Sequence, residues 1–446
     1  MLVAQKEIEA PQQLLERLAE ARVRTDEIFG IVMPDSLYER PIPERHRIIF
    51  YLGHLEAFDW NLLRERVLSM KPFAADLDKL FAFGIDPVNG SLPTDQPSDW
   101  PSVASTRDYV NRIRESIDAG LATLDPSDWN STRAGTDCSP SKLLNVAIEH
   151  RLMHAETLAY MLHQLSLEHK VRKLSAPELV RSSSVPRIIE IPSGRATLGM
   201  SSQDGVFGWD NEFEAQSVDV PAFTIDKYKV TNQQYLEFMA AGGYENPEFW
   251  LEEDWNWRTS HDIRHPVFWF KKNDRRYLQT MFNEIPLPME WPVYVSQAEA
   301  SAYARWANKS LPTEAQWHRA AYGTPNNIQR FFPWGDEAPD RSRGNFDFQS
   351  WDPTAVNAFP HGDSAFGVAD LLGNGWEWTS SKFEPFSGFQ RFSFYPGYSA
   401  DFFDSKHYVM KGASPRTAAC MLRRSFRNWF QPHYQYVYAG FRCVSK

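Results

Sequence analysis

Up to about residue 175 the apolar positions recur with the 3.6-residue period of amphipathic helices over 11–30, 46–70, 105–122 and 141–168, a pattern that predicts a four-helix bundle. Between the second and third of these runs lies FGIDPVNGSLPTDQPSDWPS, rich in Gly, Pro, Asp and Ser. It reads as a long structured connection bordering a site, because connections of that length inside a compact domain usually carry function. Two Ser- and Pro-containing stretches, RKLSAP and RSSSVP, then read as an interdomain linker, placed at 176–187. From Ile188 onward short strands alternate with Gly/Pro turns, and helices are expected at 296–308 and 313–322. The expected architecture is therefore an α+β two-domain chain, with a helical bundle over 1–175 and a loop-rich domain over 188–446.

The length of 446 residues fits two cores rather than one. A net charge of -10 is spread along the chain without a Lys/Arg-rich run, which argues against nucleic acid and anionic membranes as partners and leaves small molecules. The cysteines Cys138, Cys420 and Cys443 are too far apart for a disulfide framework or a CxxC zinc site, as expected for a protein of the reducing cytoplasm. The first turns, MLVAQKEIEAPQQLLERLAEARVRTDEIF, are charged and amphipathic and resemble neither a signal peptide nor a membrane span. Nothing in the pattern fixes the oligomeric state. In the second half, aromatic residues gather in WLEEDWNWR, FFPWGDE, GNGWEWTSS and RNWFQPHYQYVYAG; most are expected to form the core, leaving a few to face a cation.

The densest chemistry is in His150-Arg151-Leu152-Met153-His154-Ala155-Glu156. Four residues of separation on a helix put both imidazoles on one face, the spacing of a metal chelate. Apolar neighbours Leu152, Met153, Leu158, Met161 and Leu162 surround the pair, and imidazoles facing such an interior need a partner to offset desolvation. His54, in the apolar run IIFYLGHL, supplies a third nitrogen from a second helix. Glu156 lies about 200° further round the helix than His154 and is expected to support the site or pair with a cation rather than to ligate. The bland alternative is that the histidines are hydrogen-bonded core or interface residues. His163 and His169 read as solvent-facing.

The segments IPSGRATLGM, FTIDKYKVTNQQYLEFM, PVYVSQAEASAYARWANKSLPTEAQWHRAAYG, FPWGDE, GNGWEWTSS and GFRCV together resemble the formylglycine-generating-enzyme (sulfatase-modifying factor) fold over residues 186–446. That family's copper-binding cysteine pair is not matched, since Cys420 stands alone and Cys443 belongs to the terminal strand, so its activity does not carry over. The first half resembles the DinB-like four-helix bundles. The fusion of the two is the architecture of the non-haem iron sulfoxide synthases of ergothioneine and ovothiol biosynthesis, in which a lone His and an HxxxHxE motif hold iron(II). His54, His150 and His154 match those positions.

The resemblance implies hercynine, the betaine of histidine, as acceptor and dioxygen as oxidant, at the interface of the two domains. Asn428 and Trp429 of the RNW segment match the hercynine-contacting residues, and Tyr395 and Tyr398 occupy the stretch that supplies a proton-donating tyrosine, with the choice between them open. Where ergothioneine synthases using γ-glutamylcysteine place an acid after RNW, this chain has Phe430, and Met153 replaces a polar residue of the metal helix. These departures, with FYLGHLEAFDW, FAFGIDP and HRLMHAETLAYMLHQ, resemble the selenoneine synthases, so a neutral selenosugar donor is expected; cysteine or γ-glutamylcysteine is the alternative. Against the sugar, Arg107, Arg112 and Arg114 offer a carboxylate clamp, of which Arg114 is the main candidate. Two further readings stay open: a zinc-dependent thiol or hydrolytic enzyme, and a non-catalytic hercynine- or betaine-binding protein. Asn374 marks a segment that supplies structural calcium in formylglycine-type domains, so calcium stands as a second candidate cofactor.

Overall fold

A computed structural model of the chain describes residues 10–82, 92–132, 138–171 and 185–445. The chain divides into two compact units, Met1–Leu174 with Gly205–Phe207, and Ser175–Asp204 with Gly208–Lys446. The expected linker at 176–187 lies, up to Ser184, outside the described residues, as do residues 83–91 of the long connection.

Unit 1 is built on α1 (Pro11–Phe29), α2 (Ile48–Leu63), α3 (Ala75–Leu80), α4 (Val103–Ala122) and α5 (Pro140–Gln164). α1 is amphipathic: Leu14, Leu18, Ala21, Thr25 and Ile28 form its buried stripe, at the spacing that one helix face requires. α2 has almost no polar face and is buried nearly all round, which places it at the centre of the bundle, against α4 and α5. Ser102 and Ser139 cap α4 and α5, their hydroxyls accepting from the backbone N–H of Ser105 and Lys142. Two corrections concern helix ends. α2 stops at Leu63 rather than 70: beyond it the i→i−4 ladder gives way to turns, with the N–H of Leu68 on the Leu63 carbonyl, that of Met70 on the Arg64 carbonyl, and Ser69 at a left-handed φ of 54°. α5 stops at Gln164, and His163 is buried, not solvent-facing; Lys170 donates to its carbonyl. α3, between the expected second helix and the connection that begins at Phe83, is an additional element. It is held by buried Asp78, whose carboxylate accepts from Tyr109 Oη at 2.7 Å and Trp60 Nε1 at 3.3 Å.

Unit 2 runs β1 (Ile188–Ile191), β2 (Gly194–Leu198), β3 (Gln216–Val220), β4 (Phe223–Asp226), α6 (Asn232–Ala240), α7 (Glu252–Ser260), β5 (Trp269–Lys272), β6 (Arg275–Gln279), β7 (Glu284–Pro286), α8 (Gln297–Trp306), α9 (Glu314–Tyr322), β8 (Gly375–Lys382), β9 (Tyr408–Ala413), β10 (Asn428–Phe430), β11 (Ala439–Gly440) and β12 (Val444–Ser445). The sheets are small: β1-β4-β12, β2-β3, β5-β6-β7 and the four-stranded β10-β9-β8-β11, in which only β11 pairs in parallel. α8 and α9 match the two expected helices and begin with reciprocal capping boxes, Ser296 with Glu299 and Thr313 with Gln316. Trp317 and Tyr322 of α9 pack with Leu371, Leu372, Ala413 and Val444 to form the core. Buried Trp209, Trp376 and Trp378 bear out the expectation that most aromatics are structural. Among the described residues no helix is long and apolar enough to cross a membrane.

Candidate metal centre and substrate-binding residues

α2 and α5 bring His54, His150 and His154 together with ligand atoms all within 4.8 Å of one another. The imidazoles of His150 and His154 approach through their Nε2 atoms at 3.1 Å, as i, i+4 spacing on α5 allows. His54 Nδ1 lies 2.7 Å from the carbonyl of Phe81, the residue that ends α3. A carbonyl only accepts, so Nδ1 carries the proton and Nε2 keeps a lone pair. That Nε2 is buried and has no hydrogen-bond partner among the described residues. Phe50 and Phe58, one turn either side of His54, add aromatic walls: Phe50 stacks on His54 with centroids 4.8 Å apart, and Phe58 stacks on His150.

Burial governs the charge state. Desolvation pulls His54 down to about 4, against the opposing bond to Phe81. His150 and His154 are held well below the usual histidine range by the same burial, helped by their histidine neighbours. All three are neutral at physiological pH, so their nitrogen lone pairs are available. Three buried, neutral, converging imidazoles, with His54 Nε2 unpartnered among the described residues, suit a divalent transition metal and leave further coordination positions open. Among the described residues no other group of three or more His, Cys, Asp or Glu side chains could hold a metal.

Behind the histidines is a charged cluster the sequence did not disclose. Arg151, fully buried, donates to Glu56 at 2.9 and 2.8 Å and to Asp59 at 2.5 Å. Arg114, the candidate carboxylate clamp, gives Nε to Glu56 at 2.8 Å and its terminal nitrogens to Asp26 at 2.7 and 2.8 Å. With all three nitrogens engaged, it braces the bundle rather than waiting for a substrate carboxylate. Arg112 lies over the Phe73 ring, 4.1 Å from its centroid. Met153 is half-buried and Glu156 buried.

In unit 2 Asn428 and Trp429 of the RNW segment open edge strand β10, with Trp429 opposite Val409. Arg427 is structural: it is buried, pairs with both Glu314 oxygens at 3.1 and 3.2 Å and lies over Phe383 and Phe386. Asn428 and Trp429 are half-buried. The Trp429 ring stacks on Phe383 at 4.1 Å, and Tyr398 meets it edge-on at 5.5 Å. Tyr398 is buried and stacked on Trp209 at 3.9 Å; half-buried Tyr395 is its neighbour at 5.6 Å. Tyr395, Tyr398 and Trp429 therefore share one aromatic cluster. Phe430 stacks on Tyr434 with centroids 5.0 Å apart and planes 8° apart. Asn374, the calcium candidate, is fully buried with its amide nitrogen donating to Asp370 and Thr354 and its amide oxygen accepting from Thr354 N–H. Its polar atoms are consumed by loop structure, which gives calcium no support.

Residues 175–446 match the family model of the sulfatase-modifying factor enzyme 1-like domain, and residues 17–158 match the DinB superfamily. The chain is 35% identical over 346 residues to the hercynine oxygenase of Mycobacterium tuberculosis, covering 77% of this chain and 78% of that protein. To the hercynine oxygenase of Mycolicibacterium smegmatis it is 31% identical over 447 residues, covering 98% and 99%. The chain belongs to the hercynine oxygenase family. Ergothioneine biosynthesis protein 1 of Neurospora crassa is 28% identical over 92% of this chain, which spans 55% of that longer relative.

Within a hercynine oxygenase scaffold, the residues that sequence reasoning missed are those that hold ligands rather than supply them: Phe58, Phe81, Arg151, Glu56 and Asp59. One signal was available. Glu56, Asp59 and Arg151 interrupt otherwise apolar helices, and a charge in such a run must find a buried partner.

Proposed function

We propose that the chain is an iron(II)- and dioxygen-dependent oxidoreductase that joins selenium from a selenosugar to the imidazole carbon of hercynine. The observation that carries the metal chemistry is the buried, neutral triad of His54, His150 and His154 in a chain of the hercynine oxygenase family. Bound there, iron(II) would activate dioxygen and polarise the substrates. The balance closes on one dioxygen: forming the carbon–selenium bond from an imidazole C–H and a selenol releases two electrons and two protons, oxidation of selenium to the selenoxide releases two more electrons, and one oxygen leaves as water.

The remaining roles belong to the chain's own side chains. Trp429 offers a half-buried ring to a trimethylammonium group, and the Asn428 amide can donate to the hercynine carboxylate. Tyr398, edge-on to Trp429, is the tyrosine best placed to hold a proton beside that acceptor, with Tyr395 behind it. Phe430, flat against Tyr434, and Met153 favour a neutral, hydroxyl-bearing donor, since neither offers a charge to an ammonium or carboxylate.

Metal analysis of anaerobically prepared protein tests the first part: His54→Ala, His150→Ala and His154→Ala should each lose iron, and full iron content in all three would overturn it. Competition between a selenosugar, cysteine and γ-glutamylcysteine, with hercynine and dioxygen present, tests the donor. A higher kcat/KM for cysteine or γ-glutamylcysteine would replace the selenium reading with hercynine sulfoxide synthesis.

A further inference from the structure

We propose that Arg151 is a positioning residue, which sets the register of α5 against α2 and so the convergence of the three imidazoles; this rests on the metal reading above. Arg151 directly follows His150 on α5, and Glu56 and Asp59 follow His54 on α2 within two turns. The three side chains have 0%, 1% and 1% exposure, so each charge depends on the others for its solvation. Arg151 also donates to the Leu55 carbonyl at 3.3 Å and to Thr25 Oγ1 of α1 at 3.4 Å. Glu56 in turn accepts from Arg114 of α4, which holds Asp26 of α1, so one connected set of ion pairs ties α1, α2, α4 and α5.

Apolar packing alone would specify this arrangement weakly. α2 is buried nearly all round and the buried apolar residues of α5 are mostly Leu, Ile, Val and Ala, side chains too alike to oppose a slide of one helical turn on their own. Such a slide displaces a side chain by about 5.4 Å. The whole ligand set is only 4.8 Å across, so a one-turn slip would dismantle it. It would also strand Arg151, Glu56 and Asp59 as unpaired buried charges, which makes the native register the one the cluster accepts. Fixing register is the best-attested use of buried polar groups.

The test uses the full chain, stripped of metal, with Co2+ as an air-stable visible probe. Arg151→Met should lower Co2+ affinity by about tenfold or more and alter the Co2+ absorption bands. Arg151→Lys, which keeps the charge but not the fork, should recover part of both. Asp59→Asn preserves volume and an acceptor oxygen and should show a smaller loss; if Arg151→Met does not fold, the Lys and Asn variants decide. Variants with the parent's circular dichroism that bind Co2+ within about twofold of the parent, with unchanged bands, would overturn the proposal, since a merely structural role lowers stability without moving the spectrum. Failure of the underlying metal reading looks different: the parent itself would not bind Co2+, or His54→Ala would bind it equally well.

Discussion

Phe58 lies flat on His150, with ring centroids 3.4 Å apart and planes at 13°. The stack limits rotation of the imidazole about its own side-chain bonds, so the ring is presented in one orientation before any metal arrives. Phe58→Ala should cost about 1 kcal/mol of metal binding, the worth of such an aromatic pair, or about fivefold in affinity. Anaerobic calorimetry with iron(II) measures it; an unchanged affinity would mean the stack is incidental.

The Arg427–Glu314 pair makes a second prediction, about stability. Both side chains are almost fully buried. Removing one partner strands the other, so Arg427→Met should destabilise unit 2 by about 3–5 kcal/mol, whereas Arg427→Met with Glu314→Met should lose less. Chemical denaturation of the single and double variants checks the ordering, and equal losses would contradict it. Lys411, 4.0 Å from Glu314, will soften the single-variant effect.

Asp210 supplies a pH dependence. Burial raises its carboxyl from 3.8 to about 6, against the bond from Ser399 Oγ at 2.5 Å. A carboxyl raised on folding favours the protonated native state: its contribution is fully present below pH about 4 and is lost as pH rises through about 6. The loss is on the order of 2–3 kcal/mol, from roughly 1.4 kcal/mol per pKa unit. Asp210→Asn should therefore gain stability relative to the parent between pH 4.5 and 7. A constant difference across that range, read from urea midpoints, would refute the assignment.

Donor choice is testable at a single position. Phe430→Asp restores an acid after Asn428-Trp429 and breaks the stack with Tyr434. The ratio of kcat/KM for γ-glutamylcysteine over the selenosugar should rise by about tenfold, the worth of one charge-assisted contact. Mass spectrometry of products from mixed donors reads the ratio; no movement would place the donor elsewhere.

The candidate metal ligands were legible because helical periodicity is local: His150 and His154 needed only the i, i+4 rule, and His54 only its apolar run. What supports them was not. Phe81 reaches His54 from the end of α3, a helix of six residues, too short for a periodic signal, just before the Gly/Pro-rich connection, and the Arg151 cluster depends on pairings across four helices. In unit 2, α8 and α9 announce themselves by capping boxes. α6 carries the same signal, Thr231 with Gln234, but its nine residues are too few for a distinct 3.6-residue period. The β10-β9-β8-β11 order could not be read, since a two-residue parallel strand such as β11 has no periodicity to detect.

Gly53 precedes His54 in the middle of α2, where glycine costs about 1 kcal/mol relative to alanine. A methyl group there would sit 2.5 Å from the ring of Phe81, the residue whose carbonyl holds His54 Nδ1. Position 53 thus behaves as a keyhole. In a saturation library of this helix, the substitution that helix propensity most recommends would collide with the Phe81 ring, so directed evolution toward a more rigid α2 would work against the residue that orients His54.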